Sequence, residues 1–593
     1  MIAPGGGGPS GYGGPVEVWL AHLLDDAIHG FGETEATVTR VDLSSPSKLG
    51  EARAAVSLPD RARTDRGTWR RLADGLGRDP RVDRVVAVPP TLYVTLAEGV
   101  LESGVALACG RDPAAPDPAA PDPPGGPGVV VVFCSPNANK PLHIGHMRAC
   151  FLGMSIARLF EASGATVARS QMLSNFGIHM CQALAVQERG STPAAAGLKG
   201  DHFVGRLYRA YHDALAGAGE GTTHSAACDD PAGASGGAEH ERPCLRCRPG
   251  HLLRAMAGGD AGALEANRAL GEWAIEGILA TQNRIGTTHH SCLRESEVIG
   301  LATGVVEAAV AAGVCRRRPD GSTYIPVRST GEADLTLLRR DGTSLVFAML
   351  LGIYLTRSSM YPGWDVVELT GEQWRAGRTA MYEVLDRLGR RGLVRGTEGV
   401  FFGMVQLGGQ VMRSRDGPVA LVDDLVDRVA ARVGASEELP APWRADAESR
   451  DRMAVALLEY HVLGFARAKG FSFDPEAMWH DATSRLVAVH RALAWAAHPA
   501  GPPAGAGPPT GAGPPAGAGP PARALALALA RHWSCVTKAR DKRDPAILVR
   551  YVDDLAGRAL AVGDPSRVAP ELRQASSRVL RQSLHMLGID LPC

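Results

Sequence analysis

The chain has 593 residues, of which 45% are hydrophobic and 21% are charged, and its formal net charge is zero at pH 7. This composition is ordinary for a soluble protein of three or four domains, and any RNA-binding face must gather its basic residues locally. The absence of a long apolar run excludes a membrane protein, and the 11 cysteines are expected to be reduced thiols in a cytoplasmic chain.

The first elements predict a small α/β unit. Val82–Val88 and Leu92–Leu96 are apolar segments that flank Pro89 and Pro90, which is typical of two strands joined by a turn. The Pro/Ala-rich stretch that follows predicts an extended linker. We therefore expect an N-terminal appendage at residues 1–110 and a linker at 111–128.

A buried strand comes next. Val129–Phe133 is a run of β-branched and aromatic residues, which predicts a parallel strand covered on both faces. Pro136 and Pro141 end this strand, and helical spacing of apolar residues runs from His146 to Phe160. The order strand, polar loop, helix is typical of a nucleotide site.

The residues at the start of that helix indicate which kind of nucleotide site it is. His143 and His146 stand where free amides and the helix dipole favour anions, and Lys140 adds a positive charge. Gly145 has no side chain, so a flat base can approach the backbone there. No G-x-x-x-x-G-K-[ST] motif occurs, so this is not a P-loop.

These residues resemble a known family. His143-Ile-Gly-His146 resembles the HIGH signature of class I aminoacyl-tRNA synthetases, and residues 135–148 resemble its arginyl-tRNA synthetase form. Residues 402–425 and 544–592 extend this resemblance. It implies an α/β protein: a Rossmann-type class I catalytic domain at 129–432, with an insertion around 200–290. The N-terminal appendage would then be the additional domain that contacts the tRNA elbow.

The rest of the chain, residues 433–593, is helical by period and resembles the all-α anticodon-binding bundle of the same family. From residue 531 to the end, 11 Lys or Arg stand against 7 Asp or Glu, and this mild basic excess favours phosphate contacts. Residues 501–522 repeat Gly, Pro and Ala, so we expect a disordered spacer inside the bundle.

The resemblance also implies roles for single residues. His143 and His146 would donate to the phosphates of ATP, and Lys140 would offset the lysine missing from the second signature loop. Two basic residues of that loop would clamp the pyrophosphate, which makes the catalytic set Lys140, His143, His146, Arg413 and Arg415. The ATP-binding set is His143, Gly145, His146 and Met412. The amino-acid-binding set is Ser135, Asn137, Glu295, Tyr354 and Gln373.

The side-chain pocket departs from the family pattern. The family has an acid where this chain has Val132. Its Tyr-x-Thr-Arg-Asp run, aligned without gaps, loses the aspartate to Leu350; aligned on Tyr354, it keeps the tyrosine but replaces the acid by Ser358. In both alignments Glu295 is the guanidinium partner that is left.

The predicted function is arginine–tRNA ligase, a monomer that uses ATP and Mg²⁺ to join arginine to tRNA(Arg). Two alternatives stay open: a diverged paralogue that charges another amino acid or serves resistance or biosynthesis, and a catalytically weak tRNA-binding protein. A zinc site is a further hypothesis, against an insertion with incidental cysteines. Its ligands would be Cys228, His240, Cys244 and Cys247.

Overall fold

The computed structural model describes residues 37–43, 52–58, 65–101, 128–217, 244–327, 334–407, 410–411, 420–498 and 519–591, together with Leu20, Leu23 and Val105. The strands of these ranges are β1 Thr37–Leu43, β2 Ala52–Ser57, β3 Val82–Val88, β4 Thr91–Leu96, β5 Val129–Val132, β6 Val167–Leu173, β7 Ser291–Arg294, β8 Arg316–Arg317, β9 Thr323–Ile325, β10 Leu335–Leu338, β11 Asp365–Gly371, β12 Thr397–Phe402, β13 Val405–Leu407, β14 Gln410–Val411 and β15 Phe471–Phe473.

The α-helices of the same ranges are α1 Arg66–Leu76, α2 Ile144–Ala162, α3 Ile178–Leu184, α4 Gly200–Gly217, α5 Arg248–Ala257, α6 Ala261–Arg284, α7 Glu295–Ala311, α8 Val346–Met360, α9 Arg375–Arg387, α10 Arg391–Arg395, α11 Val422–Ala435, α12 Ala447–Gly464, α13 Pro475–Ala496, α14 Pro520–Ala530, α15 His532–Lys542, α16 Ala546–Ala561 and α17 Pro570–Leu587. Short 3₁₀ turns cover Glu372–Trp374, Ala441–Arg444 and Pro565–Arg567.

The N-terminal unit is an antiparallel sheet in the order β1-β2-β4-β3, as far as the structure describes it. The predicted pair of strands is confirmed as β3 and β4, on either side of Pro89 and Pro90. Helix α1 begins after Asp65, whose carboxylate accepts from two amides of the first turn. Its buried side chains include Trp69 and Leu72. The appendage is therefore an α/β unit.

The central sheet is parallel, and its described strands follow the order β12-β11-β5-β6-β7. Strand β5 lies in the middle, which explains why Val130, Val131 and Val132 are all buried. The chain leaves β5 towards β6 on one side and later returns to β11 on the other. Such a switch point opens a crevice at the carboxyl ends of the two strands, where ligands bind in α/β sheets.

Helix α2 connects this sheet to the C-terminal region. It packs against β5, β6 and β11, and also against α12, α15 and α17. This double contact explains why nearly all of its side chains after His146 are buried. The helix that begins at the histidines therefore belongs to the cores of both regions.

The C-terminal region is helical as predicted, with one exception. Phe471–Phe473 forms β15, which pairs in parallel with β13 from the catalytic region. The predicted spacer also ends earlier than residue 522, because Pro520 and Pro521 open α14 and Ala522 is buried. Proline is tolerated in a first helical turn, where its missing N–H has no intrahelical partner. Residues 501–518 of the spacer lie outside the described residues.

Candidate nucleotide and amino-acid site

The loop from β5 to α2 is attached to the end of β6. The amide of Ala138 donates to the carbonyl of Ser174 at 2.9 Å, and the amide of Ser174 donates to the carbonyl of Pro136 at 3.1 Å. Asn137 is exposed and forms an isolated parallel bridge with Ser174. Ser135 Oγ accepts from the amide of Met172 at 3.2 Å. These contacts hold the loop at the switch point.

The two histidines form one stacked unit at the start of α2. Their ring centroids are 3.9 Å apart, and the ring planes are inclined by 30°. Nδ1 of His143 accepts from the amide of Gly145 at 3.1 Å, and Nδ1 of His146 accepts from the amide of His143 at 3.3 Å. Because each Nδ1 is an acceptor, a neutral ring carries its proton on Nε2. Both rings therefore offer an Nε2–H donor.

The surroundings keep both rings neutral. Burial in the crevice, with Lys140 nearby, lowers the pKa of His143 to about 3. The pKa of His146 lies well below its usual value because of burial, with His143 and Lys140 contributing. A neutral imidazole that donates through Nε2 suits a phosphate oxygen on which charge builds during a reaction.

The amides of the first turn are not free, in contrast to the expectation from sequence. The Ile144 amide donates to the carbonyl of Ala420 at 3.0 Å, and the Gly145 amide is taken by the His143 ring. The His146 amide donates to the His143 carbonyl at 2.8 Å. The anion-binding capacity of this helix start therefore comes from imidazole N–H groups and Lys140. A Cβ at Gly145 would lie 3.0 Å from the His143 ring, so this glycine also makes room for the cap.

The segment that follows the second signature loop pairs with the first signature. His143 and Leu421 form an isolated antiparallel bridge, and the Val422 amide donates to the Leu142 carbonyl at 3.0 Å. Both signatures therefore meet through backbone hydrogen bonds. The predicted loop residues lie outside the described residues, so their roles stay predictions: Met412, Arg413 and Arg415.

Gln373 follows β11 at the switch point. Its amide packs over Gly371, where a Cβ would lie 2.3 Å from Gln373 Oε1. The next residue, Trp374, is 40% exposed. Since β11 neighbours β5, Gln373 leaves the same edge of the sheet as the loop that carries Ser135 and Asn137. These three residues therefore lie at one edge of the sheet, and their amino-acid-binding role stays a prediction.

Glu295 begins α7 beyond the end of β7 and is buried. Its Oε2 accepts from Ser174 Oγ at 2.6 Å. Burial raises its pKa to about 7, although the Ser174 hydroxyl and the Phe176 amide oppose the shift. The Ser174 side chain contacts this carboxyl, and the Ser174 backbone is hydrogen-bonded to the loop of Ser135 and Asn137. Glu295 therefore lies next to that loop. It changes charge near neutral pH.

Tyr354 lies elsewhere. Its hydroxyl donates to the carboxylate of Glu368 on β11, and its ring is buried in the core between α8, β11 and α9. Arg378 Nη1 lies 3.2 Å from the same carboxylate, which also accepts from Tyr382 at 3.1 Å. Val346, the other candidate for the family's tyrosine position, is 38% exposed at the start of α8. The contacts of Tyr354 are therefore those of a core residue.

Two of the four proposed zinc ligands, Cys228 and His240, lie outside the described residues. Cys244 and Cys247 stand in the turn before α5, where the Cys247 amide donates to the Cys244 carbonyl at 3.1 Å. The zinc site stays a prediction. Among the described residues, Asp201, His202 and Asp423 have metal-ligand spacing. There an ammonium occupies the centre, because Lys199 Nζ lies 2.5 Å from Asp423 and 3.5 Å from Asp201.

Arg148 is the last residue of the stretch 135–148 that resembles the family, but the sequence did not predict a role for it. Its guanidinium is fully buried and donates to four backbone carbonyls between 2.8 and 3.3 Å. The signal was present, because Arg148 is one of two arginines in the largely apolar stretch from His146 to Phe160. The acceptors are backbone atoms of Gly403, Ala466, Arg467 and Lys469.

The chain shows clear similarity to known proteins. Residues 125–212 match the family described as "tRNA synthetases class I (R), catalytic domain". An arginine–tRNA ligase of Porphyromonas gingivalis is 26% identical over 498 residues, which is 79% of this chain and 80% of the relative. One from Amoebophilus asiaticus is 29% identical over 359 residues, 59% of each chain.

Solved structures of arginyl-tRNA synthetases share the fold of this chain. Thermus thermophilus arginyl-tRNA synthetase aligns with a TM-score of 0.69 at 21% identity, covering 97% of this chain and 99% of that one. Arginyl-tRNA synthetase from Plasmodium falciparum aligns with a TM-score of 0.72 at 11% identity, covering 98% and 99%. None of the described helices is both long and apolar enough to cross a membrane.

Proposed function

We propose that the chain is a diverged class I arginyl-tRNA synthetase, which activates arginine with ATP and transfers it to tRNA(Arg). The observation that supports this proposal most directly is the stacked pair His143 and His146 at the switch point of a parallel sheet. Each ring is neutral and carries a donor on Nε2, as phosphate recognition requires.

In the activation step, the carboxylate of the amino acid attacks the α-phosphorus of ATP, and pyrophosphate leaves. The carboxylate is already a nucleophile, so this step needs no general base. Negative charge on the phosphates is offset by the two imidazole donors and by Lys140. Mg²⁺ would arrive with the nucleotide as part of the substrate, because the residues of this cluster are donors and cations and do not include a carboxylate.

Arginine would enter from the side of Ser135, Asn137 and Gln373, with Glu295, which accepts from Ser174, as the expected guanidinium partner. The tRNA would contact the C-terminal helices, where Lys538, Lys542 and Arg550 are exposed. Phosphate contacts of this kind weaken as salt rises. Arg413 and Arg415 would approach the pyrophosphate from the second signature loop.

The test is amino-acid-dependent ATP–pyrophosphate exchange in the presence of tRNA, followed by aminoacylation of tRNA(Arg). Arginine should support both reactions. The amino-acid panel should include lysine and citrulline, because Val132 and either Leu350 or Ser358 stand where the family's pocket has acids. Exchange with another amino acid and not with arginine would refute the assignment in favour of a diverged paralogue. Binding of tRNA without any exchange would indicate a binding protein.

A further inference from the structure

Asp423, in the first turn of α11, is the centre of a hydrogen-bond cluster outside the set of predicted site residues. Lys199 Nζ donates to its Oδ2 at 2.5 Å, and His202 Nε2 lies 3.2 Å from the same oxygen. Thr281 Oγ1 donates to Oδ2 at 3.1 Å. These donors come from the start of α4 and from α6, so one carboxylate joins three helices.

The charges around Asp423 strengthen the cluster. Burial of the carboxylate opposes ionisation, but the hydrogen bonds from His202, Lys199 and Thr281 and the charge of Lys199 together outweigh it and lower its pKa well below the usual value. Arg284 Nη1 lies 3.7 Å from Asp423 Oδ1, and its Nη2 lies 2.6 Å from Asp427 and 2.5 Å from Asp451. Several charge-assisted hydrogen bonds therefore fix the position of the first turn of α11.

The backbone next to Asp423 leads directly to the signature histidines. Val422 donates to the Leu142 carbonyl, and Ala420 accepts from the Ile144 amide. His143 lies between these two contacts and bridges to Leu421. A displacement of Asp423 would therefore move the segment that holds His143 in place. His146 would follow, because its ring caps the amide of His143.

We propose that Asp423 is a positioning residue for the reaction: its carboxylate, held by α4 and α6, fixes the backbone pairing that orients His143 and His146. The kinetic part of the test rests on the proposed function. Asp424 supplies a matched control, because it is the next residue of the same first turn and its side chain is exposed.

The first experiment compares Asp423→Asn, Asp423→Glu and Asp424→Asn by ATP–pyrophosphate exchange with arginine and tRNA. Asp423→Asn keeps the shape but removes the charge that Lys199 and His202 face. Its kcat should fall by roughly 10-fold or more while the KM for ATP changes little, since small misplacements of reacting groups slow the chemical step. Asp423→Glu should recover part of this loss. Equal kcat for Asp423→Asn and Asp424→Asn would overturn the proposal.

A mutant cycle shows whether Asp423 acts through the two histidines. If it does, adding Asp423→Asn to a His143→Ala/His146→Ala variant should slow exchange by less than about twofold, because both positioned groups are already absent. Losses that multiply would assign Asp423 an independent effect and refute the proposed route. Circular dichroism of each variant reports whether the fold is kept. Should Asp423→Asn fail to fold, Asp423→Glu replaces it in the cycle.

A measurement without catalysis separates this inference from the proposed function. In protein labelled with ¹⁵N-histidine, variants of His143 and His146 assign the ring signals. Asp423→Asn should shift the Nδ1 and Nε2 signals of both rings, and Asp424→Asn should leave them in place. Unchanged signals in both variants would refute the positioning role. If the wild type shows no exchange with arginine, the proposed function fails, and the NMR result still decides the role of Asp423.

Discussion

The guanidinium of Arg148 donates to the carbonyl of Gly403 at 2.8 Å, although the two residues are 255 positions apart. Gly403 lies just after β12, and it approaches Gly470 so closely that a Cβ at Gly403 would lie 2.2 Å from the Gly470 amide nitrogen. Arg148 stands one turn after His143 on α2 and also donates to Lys469 at 2.8 Å. One side chain therefore connects the helix of the histidines to the catalytic sheet and to the C-terminal region.

This relationship predicts a large effect on stability. Arg148→Met should lower the urea midpoint by an amount that corresponds to about 2–6 kcal/mol, because it leaves two buried carbonyls without a donor at roughly 1–3 kcal/mol each. The carbonyls of Gly403 and Lys469 would lose the guanidinium, whereas those of Ala466 and Arg467 keep a backbone amide donor. Arg428→Met, on an exposed position of α11, is the control and should leave the midpoint unchanged. Equal midpoints of the two variants would show that the carbonyls find other donors at no cost.

Removal of one imidazole donor should slow the chemistry and leave the fold intact. We expect His146→Ala to reduce the kcat of exchange and aminoacylation by about 10²-fold or more, as the loss of a preorganised donor does. His480→Ala, an exposed histidine of α13, is the matched control. Aminoacylation by His146→Ala within a few-fold of wild type would show that the phosphates are bound elsewhere.

The raised pKa of Glu295 predicts a pH dependence for arginine binding. The guanidinium binds the ionised carboxylate, and the pKa of the free carboxyl is about 7. The KM for arginine should therefore fall as pH rises from 6 to 8, because the ionised fraction increases over this range. Glu295→Gln should raise the KM by roughly 10-fold or more at pH 8 and abolish the dependence.

Glu307→Gln, on the exposed side of α7, should keep the wild-type profile of KM against pH. Two results would show that Glu295 does not bind arginine. One is a wild-type KM for arginine that does not change with pH, and the other is a Glu295→Gln variant with the KM of the wild type. A neighbouring acid such as Glu297 or Glu372 would then be tested by the same substitution.

Replacing Glu459 on α12 by a neutral residue should stabilise the protein, and the gain should depend on pH. Burial raises the pKa of Glu459 from 4.5 to about 8, with partial compensation by Arg158. The unfolded chain ionises this carboxyl above pH 4.5 and the folded protein only near pH 8, so the residue destabilises the fold increasingly between these values. Glu459→Gln should therefore raise Tm by a few degrees at pH 8 and leave it nearly unchanged at pH 5.

The control for this experiment is Glu448→Gln, at an exposed position in the first turn of the same helix. Its Tm should follow the wild type at both pH values. A Glu459→Gln variant that is less stable than wild type at pH 8 would show that the ionised carboxylate is held by Arg158 in a net favourable pair.

The elements around the site follow from local sequence. The strand at Val129–Val132, the loop with two prolines and the helix of the histidines were all predicted, because β-branched runs, proline and helical spacing act over a few residues. The same holds for the hairpin of β3 and β4. The chemistry of His143, His146 and Lys140 was readable for the same reason, since all three stand within seven positions.

The contacts between side chains that are distant in the sequence were decided by the tertiary structure. Periodicity indicates that Tyr354 lies on a helix but not which neighbour its hydroxyl meets, and that neighbour, Glu368, lies on a strand of the central sheet. The same limit applies to Asp423, which resembles any acid in a first helical turn. Its donors stand 142 and more positions earlier in the chain. Sequence spacing does not encode such contacts, because they depend on how α4, α6 and α11 pack once the parallel sheet has formed.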